Sequence, residues 1–289
     1  MIGFGPLTLD ATGDAASCRR LEELALPWDE HRAGLALRLD VDLGGRGLPV
    51  RPGQRLRVDV SRDDDGRHAL SHDFACSLDQ GGERATLSLA ELDGQRRDDA
   101  IQNGLRVLCA WRLAETDTGL LLHAAAVTRA GVAELLLGAS GVGKSTLARL
   151  AAPRPVLADD VVLVLRRDDG GWSTAASPFF AEPSFPGRSR DGSALRCGRL
   201  LLLEQAARPC LSDVPVPLRA AAVAAHAPFL TGVGLEEAGL RLAKDLVTSI
   251  PSCRFAFAPD ASAWSLLDPA GTKNGSEEGS SDTLPTAAD

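Results

Sequence analysis

The chain has 289 residues, enough to bury a full core as one large or two modest domains. Its 44% hydrophobic and 24% charged content is ordinary for a soluble protein, and aromatic residues make up only 4%, with no tyrosine. A net charge of −8 and a pI near 5.2 argue against a nucleic-acid groove, and the scarcity of aromatics argues against a base-stacking surface. A local basic pocket for a nucleotide stays open.

Cys18, Cys76, Cys109, Cys197, Cys210 and Cys253 are scattered, with no C-x-x-C spacing, and read as free thiols of a reducing compartment. No basic start followed by an apolar stretch opens the chain, so no signal peptide is read and a cytoplasmic location is expected. The longest apolar region, around Leu218 to Leu235, is interrupted by His226, Pro228 and several glycines and is not read as a membrane span.

In chain order, the first thirty or so residues give little beyond a short helix over Cys18–Leu26, ended by Pro27. Leu35, Leu37, Leu39, Val41 and Leu43 then alternate with polar residues, which predicts a strand with one buried face. Leu56, Val58 and Val60 repeat the pattern, followed by Phe74, Cys76 and Leu78 and by Leu87 and Leu89. Gly44-Gly45, Asp65-Gly66 and Gly81-Gly82 supply the turns, so the first hundred residues are expected to form an antiparallel β-rich region. Asp63-Asp64-Asp65 reads as a solvated hairpin tip. Asp98 or Asp99 is expected to cap a helix whose stripe is Ile101, Leu105, Leu108 and Trp111.

Leu120–Val127 and Val132–Leu137 read as a hairpin. Its second strand feeds Gly138-Ala139-Ser140-Gly141-Val142-Gly143-Lys144-Ser145-Thr146, which fits the phosphate-loop pattern G-x-x-x-x-G-K-[ST], and Leu147–Leu150 continue it as a helix. Glycines let successive amides turn inward on phosphate oxygens, and the following helix adds its positive end. Lys144 is a compact charge for the β- and γ-phosphates, and the Ser145 hydroxyl suits Mg²⁺. Only three of the 31 basic residues are lysine, so finding one at this position is specific.

Val156–Ala158 predict a short strand ending in Asp159-Asp160, beside the loop, where open α/β sheets place their ligands. One carboxylate can hold Mg²⁺, and the other can accept the proton of an attacking hydroxyl. Val161–Leu165 continue extended. Ser177–Arg196, rich in Pro, Gly, Ser and Arg, reads as a long loop that could close over the site and bring Arg188, Arg190 and Arg196 to it. Leu200–Leu203, Pro217–Ala227, Leu235–Ser249 and Arg254–Phe257 predict a strand, two helices and a last strand. From Pro269 the composition predicts disorder. His123, alone in an apolar run, reads by itself as a hydrogen-bonded core histidine.

The order H-A-A-A-V, turn, apolar strand, G-A-S-G-V-G-K-S-T and V-L-A-D-D resembles the HPr kinase/phosphorylase family, most of all its shorter HPr-kinase-related members, over residues 119–165. The resemblance implies an α/β fold akin to phosphoenolpyruvate carboxykinases, with a β-rich region at 1–97, a P-loop kinase-like domain at 98–268 and a disordered tail at 269–289. It implies ATP and Mg²⁺ as cofactors and places Asp159 as the base that takes the serine proton, Asp160 as its partner on the metal side and His123 beside the phosphates. It further implies a peptide or protein serine as substrate, a ribosomally made precursor peptide among the options and a small-molecule hydroxyl left open, and homo-oligomeric assembly. Ala124 stands where the sensor enzymes of that family carry glycine, and Thr146 where they carry glutamate, so HPr itself and the reverse reaction are not carried over. Two other classes remain in view: a P-loop ATPase or switch, and a nucleotide-bound scaffold without phosphotransfer.

Overall fold

The computed structural model describes residues 1–28, 35–44, 57–92, 94–182, 184–258, 260 and 262–267. In chain order its elements are β1 (Ile2–Gly5), β2 (Leu7–Gly13), α1 (Ala15–Leu24), β3 (Leu26–Pro27), β4 (Ala36–Leu43), β5 (Asp59–Arg62), β6 (Gly66–Leu70), β7 (Phe74–Asp79) and β8 (Arg84–Leu89). After α2 (Gly94–Glu115) come β9 (Gly119–Arg129), β10 (Val132–Leu137), α3 (Lys144–Arg149), β11 (Val156–Ala158), β12 (Val161–Arg166) and β13 (Trp172–Thr174). The chain closes with β14 (Leu195–Gln205), β15 (Cys210–Ser212), α4 (Val216–Ala225), α5 (Glu236–Ser249), β16 (Ser252–Phe257) and α6 (Ser262–Leu267). The described residues form a mixed α/β protein with two sheets.

The first sheet runs β3-β1-β2-β4-β8-β7-β6-β5. It is mixed, which corrects the antiparallel expectation: β1–β3, β2–β4 and β4–β8 pair in parallel. The reason is topological. α1 lies between β2 and β4, and a helical crossover returns the chain in the same direction. β1 and β2, absent from the sequence expectation, bury Phe4, Leu7 and Leu9. Asp14 caps α1 through a bond from the Ser17 amide at 2.7 Å. The acid run Asp63–Asp65 does lie at the β5–β6 turn. Leu56, Gly45 and the expected tail at 269–289 lie outside the described residues.

The helix expected to start at Asp98 or Asp99 begins earlier, at Gly94, and Asp98 is buried within it. Arg20 of α1 makes this tolerable, donating to both Asp98 carboxylate oxygens at 2.5 Å. α2 packs against β7 and β8 on one side and against β9 and α5 on the other. Gly104 of α2 faces the first sheet: a Cβ there would stand 2.4 Å from Leu87 Cδ1, in a fully buried neighbourhood. Gly104→Ala should therefore cost about 1–3 kcal/mol, as overpacked cores do, read as a lowered urea midpoint with unchanged slope.

The second sheet runs β10-β9-β12-β13-β14-β16-β15, with β11 also on β9, and β10 pairs in parallel with β14. β10 thus has a neighbour on both edges. A continuous apolar core reaches from Ile2 to Ile250. A second cluster, containing Leu136, Leu147, Leu201, Phe255 and Trp264, lies under α3. The Trp264 indole N–H donates to the Leu147 carbonyl at 3.0 Å and ties α6 to α3. α5 presents Gly239, Leu242, Ala243, Leu246 and Val247 to the core, the spacing of an amphipathic helix.

Candidate active site

Register brings the site together. In the β9–β10 hairpin Leu137 pairs with Ala124, so His123 lies one residue beyond the point where β10 gives way to the glycine-rich loop. On the other edge of β9, β11 pairs at Val127 and Ala126, and β12 starts at the pair Val161–His123. Asp159 and Asp160 fill the break between those two strands, and the Asp160 carbonyl accepts from the Ala124 amide at 3.0 Å. The acids, expected at the end of a strand beside the loop, follow β11 on the far edge of β9, so that β9 and its histidine lie between them and β10.

The loop leaves β10 at Gly138 and enters α3 at Lys144. Gly141 and Gly143 have φ of +80° and +106°, conformations open to glycine and strained for other residues. Ala139, Ser140, Gly141 and Thr146 are exposed, while Val142 is half-buried and its amide donates to the Ala139 carbonyl at 3.2 Å. Lys144, by contrast, is only 6% exposed. Its ammonium donates to the Gly138 carbonyl at 2.8 Å, the Ala139 carbonyl at 3.3 Å and His123 Nε2 at 3.1 Å. Burial lowers the Lys144 pKa, and the Asp160 charge partly restores it.

An ammonium can only donate, so His123 Nε2 accepts and the ring proton sits on Nδ1. Nδ1 faces Asp160 Oδ1 at 3.1 Å, and Asp160 Oδ2 lies 3.5 Å from Arg106 Nη1. A continuous polar line therefore runs Lys144, His123, Asp160, Arg106. Asp159 is adjacent: its carbonyl accepts from the Ser145 hydroxyl at 3.2 Å, and its Oδ1 accepts from the Ala181 amide at 3.0 Å.

The two carboxylates are driven apart electrostatically. Burial raises the Asp159 pKa, the Asp160 charge adds to this, and the Ala181 amide only partly offsets it. Burial would raise Asp160 too, but the His123 hydrogen bond and the charges of Arg106 and Lys144 outweigh it and hold that carboxyl below the usual range. Two acids split in this way suit a proton acceptor and a permanently ionised partner.

His123, Lys144, Ser145, Asp159 and Asp160 are thus placed in one neighbourhood. Arg106 was missed; its one signal is a guanidinium flanked by the apolar stripe of α2. Its charge lies 5.5 Å over the Phe179 ring. The stretch after β13 is irregular as expected, but it is packed: Ser177, Phe179, Phe180 and Phe185 are buried, and Phe179 meets Phe4 at 5.3 Å between ring centroids. Arg196 does not belong to it. It lies on β14 and pairs with Asp169 at 2.5 Å.

Residues 92–227, which hold Arg106, His123, Lys144, Ser145, Asp159 and Asp160, match the family model described as "SynChlorMet cassette protein ScmC". Among solved structures the chain is similar to the Hpr(Ser) kinase/phosphatase from Coxiella burnetii, with 10% identity over 48% of this chain and 85% of that one and a TM-score of 0.28. No curated protein matches the chain. No helix among the described residues is long and apolar enough to cross a membrane.

Proposed function

We propose that this protein is an ATP- and Mg²⁺-dependent kinase, akin to the HPr kinase family its loop and acid pair resemble, that transfers the γ-phosphate to a serine hydroxyl of a peptide or protein. The observation carrying this reading is the contact line from Lys144 through His123 to Asp160, with Asp159 held beside it by Ala181. In this reading residues 138–146 are the phosphate loop, and Lys144 exchanges the Gly138 and Ala139 carbonyls for phosphate oxygens when nucleotide binds. His123 and Arg106 then keep Asp160 ionised and oriented.

The donors on offer to the metal are oxygens, the Ser145 hydroxyl and the Asp160 carboxylate, which suits Mg²⁺. The Ser145 hydroxyl spends its proton on the Asp159 carbonyl and keeps its lone pairs. Among the described residues no group of three or more His, Cys, Asp or Glu gathers, so Mg²⁺ here would take the rest of its shell from phosphate and water. Bound there, the ion would supply positive charge to the phosphate oxygens. Asp159 takes the proton of the acceptor hydroxyl, a role that its raised proton affinity favours.

Incubation with γ-labelled ATP, Mg²⁺ and serine-containing peptides tests the reading. Label on serine is expected. Hydrolysis without transfer would point to an ATPase, and nucleotide binding without either would leave a scaffold. The pH profile adds an independent check. Because the Asp159 pKa is raised, transfer should fall on acidification at a pH above that of an ordinary aspartate; an acid limb at the ordinary value would remove Asp159 from the base role.

A further inference from the structure

We propose that the cleft walled by α1, the first turns of α2 and the segment after β13 is the acceptor site, and that it selects a peptide carrying a carboxylate next to the serine. The inference rests on the kinase reading and names the substrate class of that site.

The cleft holds about 250 Å³ and is lined by Gln95, Gln102, Phe180, Arg188 and Arg190, with Arg20, Glu23 and Asp98 along one side. Small-molecule pockets run from roughly 300 to 1,000 Å³, so this one suits a residue or two of an extended chain better than a nucleotide. It is wired to the candidate base. Phe180 lines the cleft, and the next residue, Ala181, holds the Asp159 carboxylate. Arg188 stacks on the Phe180 ring at 4.3 Å and lies close enough to Asp159 to feel its charge. A hydroxyl reaching Asp159 therefore comes from a chain whose neighbouring residues lie against this wall.

The charge of the wall sets the selectivity. Its two acids, Glu23 and Asp98, are both turned to Arg20. The remaining charged lining is Arg188 and Arg190, whose like charges oppose one another: burial lowers the Arg188 pKa and Arg190 lowers it further. A carboxylate seated between them relieves that repulsion and makes charge-assisted hydrogen bonds. Gln95 and Gln102, two turns apart on one face of α2, carry amides that both donate and accept, as a peptide backbone requires.

The test uses the full chain with a non-hydrolysable ATP analogue and Mg²⁺. Two labelled pentapeptides are compared, each with one serine, identical but for glutamate or glutamine after it, together with a lysine counterpart. Anisotropy should give the glutamate peptide at least about tenfold tighter binding. Arg190 is exposed, so Arg190→Glu should fold normally, keep its nucleotide affinity and invert the preference towards the lysine peptide. Equal affinity for the glutamate and glutamine peptides, a preference that survives Arg190→Glu, or binding of no peptide would each overturn the assignment. The same samples with labelled ATP separate the two readings. Charge-selective binding without transfer keeps the cleft as a peptide site and removes the kinase. Transfer that ignores both the glutamate and Arg190 keeps the kinase and removes the cleft.

Discussion

Asp159→Asn should abolish phosphate transfer, by about 10²–10⁴-fold or more, while nucleotide affinity stays largely unchanged. Asp159 is 3% exposed with its carboxylate turned to the Ala181 amide, and Ser145 reaches it through its backbone carbonyl, which asparagine keeps. The variant should also not lose stability. Burial places the folded-state pKa of Asp159 above its unfolded value, so the group's favourable contribution is full at acid pH and is lost as pH rises through the folded pKa. At neutral pH the ionised side chain is a net cost that asparagine removes, and its amide oxygen can still accept from Ala181. Filter binding, single-turnover transfer and a thermal melt at neutral pH together check this. Equal loss of binding and transfer would count against a base role, and a lowered melting point would show that the carboxylate is structural.

The second large effect needs no function. Glu134, on the strand that carries the glycine-rich loop, is 1% exposed and held by two guanidinia. Its Oε1 accepts from Arg129 Nε at 3.0 Å and Nη2 at 2.7 Å, and Oε2 accepts from Arg199 Nε at 3.0 Å. The three residues lie on β9, β10 and β14, so the triad ties together the three strands under the loop. Glu134→Ala should destabilise the fold by about 3–5 kcal/mol, because it leaves two half-buried like charges facing each other. Replacing all three residues by apolar ones of similar size should recover most of that loss. Urea denaturation measures both. A single-variant cost below about 1 kcal/mol would mean that solvent already screens the triad.

The two predictions differ in what a sequence reader could have foreseen. The loop and the acid pair were legible because each is local: glycine spacing and a strand running into two carboxylates are visible within a dozen residues. The value of His123 was not local. Its sequence neighbourhood is that of a core residue; the family resemblance sets it beside the phosphates, and the β9–β10 and β9–β12 registers place it between Lys144 and Asp160. Arg106 comes from an earlier helix, brought in by the packing of α2 against β9, which no periodicity encodes. In the first sheet the alternation gave the buried face correctly at Leu35, Leu37, Leu39 and Val41 but not at Leu43, which is exposed at the strand's end, and strand direction depends on crossovers and went unread. The β1 and β2 strands carry the same alternation in Ile2, Phe4, Leu7 and Leu9, interrupted by Gly3, Gly5 and Pro6, which mask so short a run. The composition of 177–196 gave its irregular backbone, whereas its burial depends on Phe4, far away in the chain.

The double pairing of β10 also bears on how the molecule avoids sticking to itself. With β9 on one flank and β14 on the other, the strand leading into the loop has no open ladder to template an incoming chain. The terminal strands of the two pairing orders, apart from β10, are poor templates. β5 is short and carries Asp59 and Arg62, β3 is two residues ending in proline, and β15 is three residues long. Brevity, charge and a missing amide donor are the usual guards against fibrous growth. Among the described residues, strand exchange therefore finds no long open edge beside the glycine-rich loop.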